Sequence, residues 1–247
     1  QKPYNPITVR DMKAAIDATA IKQGVFTLTF HPGAWIRNDQ VIELIDHAVG
    51  KCGKKVKVLN FREVYGRLTR NVTAGQPLRA ANGQDNGVRL LDLNNDGYLD
   101  VVIGNEKLHQ TRLWSPEKKA WITTDFPVDL VTVDAQGDRR DAGVRFGILQ
   151  QSGCASILVR NEKAAGLWHF DGRQWVNDPQ GLSGLEAGGP VLTSQAGRDR
   201  GVRLCDLDRD GICELIVANP QQQGVFQWSA DRHGWQRLPF TLPGGAV

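Results

Sequence analysis

Two short stretches of this chain set oxygen-bearing side chains at alternate positions. In the first, Asp92, Asn94 and Asp96 occupy positions one, three and five, Gly97 follows, and Asp100 stands at position nine. In the second, Asp206, Asp208, Asp210, Gly211 and Glu214 fill the same places. A hard cation such as Ca2+ takes six to eight oxygens at about 2.3–2.6 Å. Alternate side chains of one tight loop can all turn inward to supply them. The glycine permits the sharp turn, and the residue after it, Tyr98 or Ile212, offers a backbone carbonyl. The ninth-position acid closes the shell from the start of the following strand. A hairpin turn rich in Asp, Asn and Gly needs no metal. Two such loops in register, each crowding carboxylates that repel one another unless something positive lies between them, favour the cation.

The loops belong to a longer repeat. GVRLLDLNNDGYLDVVIGN runs from Gly87 to Asn105, GVRFGILQQSGCASILVRN from Gly143 to Asn161, and GVRLCDLDRDGICELIVAN from Gly201 to Asn219, at offsets of 56 and 58 residues. Trp114, Trp168 and Trp228 follow the copies, and Trp121, Trp175 and Trp235 come seven residues after each. Each copy predicts four short strands, in the first copy near 87–92, 99–104, 110–115 and 120–123. Four-stranded units at this period, with aromatic landmarks, are the pattern of propeller blades. The tryptophans then serve as core and inter-blade packing. The middle copy holds Ile148, Gln150, Ser152, Gly153 and Ser156 at the loop positions, without a carboxylate, and is expected to hold no ion.

DLNNDGYLDVVIGN and DLDRDGICELIVANP resemble the FG-GAP/VCBS repeats of integrin-like propellers, over residues 80 to 247. The resemblance implies calcium bound by Asp92, Asn94, Asp96, Asp100, Asp206, Asp208, Asp210 and Glu214. Glu214 departs from the Asp usual at that place, although its longer side chain can still reach. Propellers of this family usually have six to eight blades, so about three blades imply completion by further blades, from the parent chain or from other chains. Leu238 to Val247 reads like the entry to another blade.

Before about residue 70 the texture is different. Met12, Ala15, Ile16 and Ala20 share one side of a helix over Thr8–Lys22. Asn38 is placed to cap a second helix, with Val41, Leu44, Ile45, Ala48 and Val49 as its apolar stripe. Val25–Phe30 and Val56–Phe61 read as strands, the second followed by a short helix through Leu68, which makes residues 1–70 a small α/β (βαβ) segment ahead of a mainly β part over 71–247. FTLTFHPGAWIRNDQVIELIDHAVGKCGKKVKVLNFREV, Phe26 to Val64, resembles the C-terminal end of the polysaccharide deacetylase barrel. That likeness implies a general-acid role for His31, at the end of the first strand. The family's paired-Asp and His-x-x-x-His metal motifs have no counterpart in this chain. His31 is therefore either a catalytic remnant of a larger carbohydrate deacetylase or a structural histidine before a His-Pro turn.

Composition narrows the classes. Hydrophobic residues make up 40% of 247, enough for a sizeable core. The net charge is +3 with no basic run, which speaks against nucleic acid, and no apolar stretch approaches a membrane span. Cys52, Cys154, Cys205 and Cys213 form no CxxC pair. Cys205 and Cys213 flank the third loop and serve either as a disulfide or as small core residues. Calcium use points to an extracellular or periplasmic setting, where weak sites fill. The sequence thus predicts a partial β-propeller of about three blades within a larger secreted protein, presenting a surface to a carbohydrate or protein ligand.

Overall fold

A computed structural model describes residues 6–22, 24–29 and 36–239. The chain forms two compact units, Gln1–Gly66 and Arg67–Val247. It is mainly β, with five small antiparallel sheets and three α-helices.

In the first unit, α1 (Pro6–Ile21) and α2 (Asn38–Cys52) pack through Val9, Ile16, Leu44 and Ala48, with Met12, Leu28, Ile36 and Val56 at the margin. The cap of α2 falls one residue earlier than the sequence suggests: Arg37 is the N-cap, and its amide donates to the Gln40 side chain at 3.1 Å. Among the described residues neither expected strand forms: residues 24–29 and 56–60 have no ladder partner. A helix competes for the second. Asn60 and Glu63 make a reciprocal capping box, the Asn60 amide donating to Glu63 at 2.9 Å and the Glu63 amide to Asn60 at 3.0 Å. That box starts α3 (Phe61–Arg67), the short helix expected through Leu68, at the last residue of the expected strand. The first strand lacks a neighbour, and its Val25 is exposed. Among the described residues this segment is helical, with no pair of strands.

The second unit holds three four-stranded meanders. The first is β1 (Val88–Leu91), β2 (Asp100–Asn105), β3 (Leu108–Ser115) and β4 (Ala120–Thr124). A hairpin, β5 (Val131–Val133) with β6 (Arg139–Asp141), leads to the second sheet, β7 (Arg145–Ile148), β8 (Ala155–Arg160), β9 (Ala165–Phe170) and β10 (Trp175–Asp178). A second hairpin, β11 (Ser194–Gln195) with β12 (Arg198–Asp199), leads to β13 (Val202–Cys205), β14 (Glu214–Ala218), β15 (Gln223–Ser229) and β16 (Gly234–Arg237). Ahead of the first sheet a single bridge, Arg79 to Asp85, stands where the hairpins stand later. Among the described residues the strands do not close into a barrel or ring. Leu93, Val102, Ile157, Val159 and Phe170 fill the layer between the first two sheets; Leu158, Leu167, Val202, Leu215 and Phe226 fill the next. The far face of the first sheet is covered in part by Val72 and Ala74.

One local device recurs at the head of every meander. Asp85, Asp141 and Asp199 each accept the amide of the glycine two residues on, at 2.8–2.9 Å, and pair with the arginine four residues on. Asn105, Asn161 and Asn219 each donate to the carbonyl just before that glycine, at 2.6–2.9 Å. The glycine cannot be replaced. At Gly201, φ is +68° and an added Cβ would lie 2.1 Å from the Ala218 carbonyl oxygen. Arg145 does more than its two counterparts. Its Nε donates to Val202 O at 2.9 Å and its Nη2 to Thr193 O at 3.2 Å, and the guanidinium pairs with both Asp141 and Asp199, binding the second sheet to the third.

The aromatic alignment needs one correction. Trp114 pairs across with Trp121, and Trp228 with Trp235, but Trp175 pairs with Phe170. The β9–β10 hairpin is two residues shorter than its counterparts, and Phe170 holds the place of Trp114, while Trp168 stands two residues earlier, opposite Ile157. The packing is the expected kind: Trp175 donates Nε1–H to Thr111 Oγ1 of the first sheet at 2.9 Å, and Trp235 to Gly181 O at 2.9 Å.

Candidate metal centre

The two acidic loops join the first and second strands of the first and third sheets. In the first loop Asp92 accepts the amides of Asp96 at 3.2 Å and Gly97 at 2.8 Å, which folds the loop back on itself. Asn95 and Gly97 take left-handed φ values of +59° and +82°. In the third loop Asp206 accepts from Arg209 at 2.7 Å and from Gly211 at 3.1 Å, with φ of +68° at Arg209 and +90° at Gly211. The fifth-position acids take the seventh-position amides: Asp96 accepts from Tyr98 at 2.8 Å and Asp210 from Ile212 at 2.7 Å. These bonds turn the side chains inward and shape the turn before any ion is considered.

The two loops differ in how they present oxygen. Asp206, Asp208 and Asp210 each bring one ligand atom within 4.8 Å of the others, a spread that one ion with bonds of about 2.3–2.6 Å can bridge. Glu214 is buried. Its Oε2 accepts the Leu207 amide at 2.9 Å, and its Oε1 has no partner. A buried carboxylate oxygen without a donor is costly, and a cation in the loop would satisfy it. In the first loop the Asn94 amide turns its nitrogen to Asp96 at 3.1 Å, leaving Oδ1 buried and unpartnered. A half-turn of that amide would offer the oxygen. Asp100 is fully buried and accepts from the Leu93 amide at 3.1 Å and the Trp114 amide at 2.9 Å. Burial raises its pKa from 3.8 to about 6 against those two bonds, and the charges of Asp96 and Asp92 add to the rise. The donor set, all oxygen and mostly anionic, fits a hard divalent ion.

The middle loop shows what the acids add. Its Ser156 takes the place of Asp100 and hydrogen-bonds His169 Nδ1 at 2.8 Å; Ser152 accepts the Cys154 amide at 3.3 Å. In this loop only Gly153 carries a positive φ. An added Cβ there would lie 2.4 Å from Asn95 Nδ2, so the middle loop packs directly on the tip of the first. The Ala155 amide donates to Leu93 O at 2.8 Å and the Cys213 amide to Ile148 O at 2.7 Å, so the loops tie neighbouring sheets together.

His31 lies outside the described residues. The other histidines pair with acids or a hydroxyl: His47 with Asp17 at 2.9 Å, His109 with Asp129 at 2.7 Å, and His233 with Asp178 at 2.8 Å. Burial lowers the pKa of His169, partly offset by Asp178. Cys205 and Cys213 are free thiols, Cys205 exposed and Cys213 half-buried against the core. No helix among the described residues is long and apolar enough to cross a membrane. No protein family and no curated protein matches the chain.

Proposed function

We propose that the chain is a calcium-binding section of an FG-GAP/VCBS-like β-propeller, serving a larger secreted protein as a binding or scaffold module. In this reading the three meanders are blades, residues 71–247 are the propeller part, and further blades from the parent chain or other chains complete it. Its ligand is a carbohydrate or a protein, met outside the cell or in the periplasm, where calcium is plentiful. The observation that carries the proposal is the third loop: three carboxylates gathered within 4.8 Å beside a buried Glu214 oxygen that lacks a donor. The first loop supports it by repeating the turn geometry in register. Ca2+, when bound, would supply positive charge to the crowded acids. The residues that would hold it are Asp92, Asn94, Asp96 and Asp100 in one loop and Asp206, Asp208, Asp210 and Glu214 in the other, with the Tyr98 and Ile212 carbonyls.

Calorimetric titration of Ca2+ into the metal-stripped chain tests this, alongside Asp92→Ala and Asp206→Ala. Two sites are expected with Kd on the order of 10⁻⁴ to 10⁻³ M, one lost with each substitution. Absence of heat together with an unchanged melting temperature would reduce the loops to turns.

A further inference from the structure

The hairpins that lead to the second and third sheets differ in length and in the residue that meets the glutamate of the neighbouring sheet turn, and a cleft lies between them. The residue four before the repeat glycine is Arg139 ahead of Gly143, but Gly197 ahead of Gly201. Arg139, nearly buried, forms a two-bonded ion pair with Glu106 in the β2–β3 turn, one of the bonds being 2.8 Å. Gln84 seals the same place, donating to Asp138 at 2.9 Å and accepting from the Arg139 amide at 3.0 Å. Glu162 is the counterpart of Glu106 one sheet on. Gly197 offers it no side chain, and Glu162 takes the Ala196 amide instead, at 2.7 Å. The Arg140 stem packs against Gly197, and beside it lies a cleft of about 490 Å³ between β5–β6, β11–β12 and the β8–β9 turn.

The groups around it are unevenly used. Arg140 is engaged by Asp134 and Asp138, and Asp141 by Arg145. Lys163 and Arg198 also line the cleft, and neither side chain makes an ion pair or hydrogen bond among the described residues. Glu162 stays ionised, its pKa held low by the Ala196 amide. Thr132, Val133 and Ala142 give a small, largely apolar wall. Two free cations, one half-used carboxylate and a volume in the range of small-ligand pockets describe a specific kind of guest.

We propose that this cleft binds a hydroxylated carboxylic acid the size of one sugar-acid residue. Lys163 and Arg198 take its carboxylate through charge-assisted hydrogen bonds, and Glu162 accepts its hydroxyls. A phosphate dianion fits less well beside Glu162, and a neutral sugar leaves both cations unpaired. The proposal rests on the binding-module reading and gives it a ligand class, but no residue of the acidic loops lines the cleft.

The test is titration of glucuronate into the full chain, with and without Ca2+, followed by NMR or calorimetry, with glucose, acetate and inorganic phosphate in parallel. Glucuronate should bind, and glucose should bind at least about tenfold more weakly. Lys163→Ala and Arg198→Ala should each weaken glucuronate about tenfold, the scale of one charge-assisted bond. Glu162→Gln should weaken glucuronate and leave acetate unchanged. The proposal fails if a chain that takes up calcium normally ignores glucuronate, if both cation variants bind it as before, or if phosphate binds more tightly. Glucuronate binding by a chain that takes up no calcium would overturn the metal reading and leave the cleft standing.

Discussion

Arg145→Ala is the substitution for which the repeat supplies its own controls. The side chains of Arg89, Arg145 and Arg203 are 36%, 12% and 58% exposed. All three bond the acid four residues earlier and the carbonyl just before themselves. Only Arg145 reaches the next sheet, where it serves Val202 O, Thr193 O and Asp199. Removing it takes one donor from each of the three, although Val202 O keeps Arg203, Thr193 O keeps the Arg200 amide, and Asp199 keeps Arg203 and the Gly201 amide. Losing two inter-sheet hydrogen bonds from a nearly buried guanidinium costs about 2 kcal/mol, whereas truncating the exposed Arg203 costs about 0.5 kcal/mol. Arg89→Ala should fall between, near 1 kcal/mol. The assay is urea unfolding followed by tryptophan emission, since six of the seven tryptophans lie in the sheets. Arg145→Ala should also lower the slope of the transition, because the second and third sheets lose their shared clamp. A double-mutant cycle with Asp199→Ala should return coupling energy of about 1 kcal/mol or more. Equal losses for Arg145→Ala and Arg203→Ala would refute the clamp.

Three further outcomes are expected. Asp100 is a carboxyl whose pKa is raised from 3.8 to about 6, so the folded chain keeps a proton there that the unfolded chain has released. Its contribution to stability is full below 3.8 and is lost as pH rises through 6, about 3 kcal/mol in all. His169, with its pKa lowered, acts oppositely below 6.5. In chelator, therefore, the chain should lose about 3 kcal/mol more than Asp100→Asn between pH 4 and 7, and calcium should erase that difference; parallel urea curves across that range decide it. Glu214→Gln should remove one of two calcium heats while leaving the metal-free melting temperature equal or higher, since the orphaned charge is gone. Gly201→Ala should cost about 3 kcal/mol or more, because the new methyl meets the Ala218 carbonyl and φ is positive; a loss under 1 kcal/mol by thermal unfolding would contradict the geometry.

The sequence alone determined much of the second unit. The recurring Gly-Val-Arg and its short apolar runs located the four strands of the first meander to within a few residues and implied the same four in each further copy. Turn chemistry was equally local: Asp92 and Asp206 fold their loops through amides four and five, or three and five, residues away. Tertiary structure decided the rest. The pairing of Asp85, Asp141 and Asp199 with the following glycine and arginine lay in plain sight but gained meaning only when Arg145 reached Asp199, 54 residues on. Phe170 replaced Trp168 opposite Trp175 because register, which depends on hairpin length, outranks residue identity. In the first unit, apolar runs that looked like strands have no partner among the described residues, and the Asn60–Glu63 box starts the short helix that follows the second of them. A strand is a relation between segments, so an apolar run alone does not make one, whereas the Asn60–Glu63 cap is complete within four residues and was there to be read.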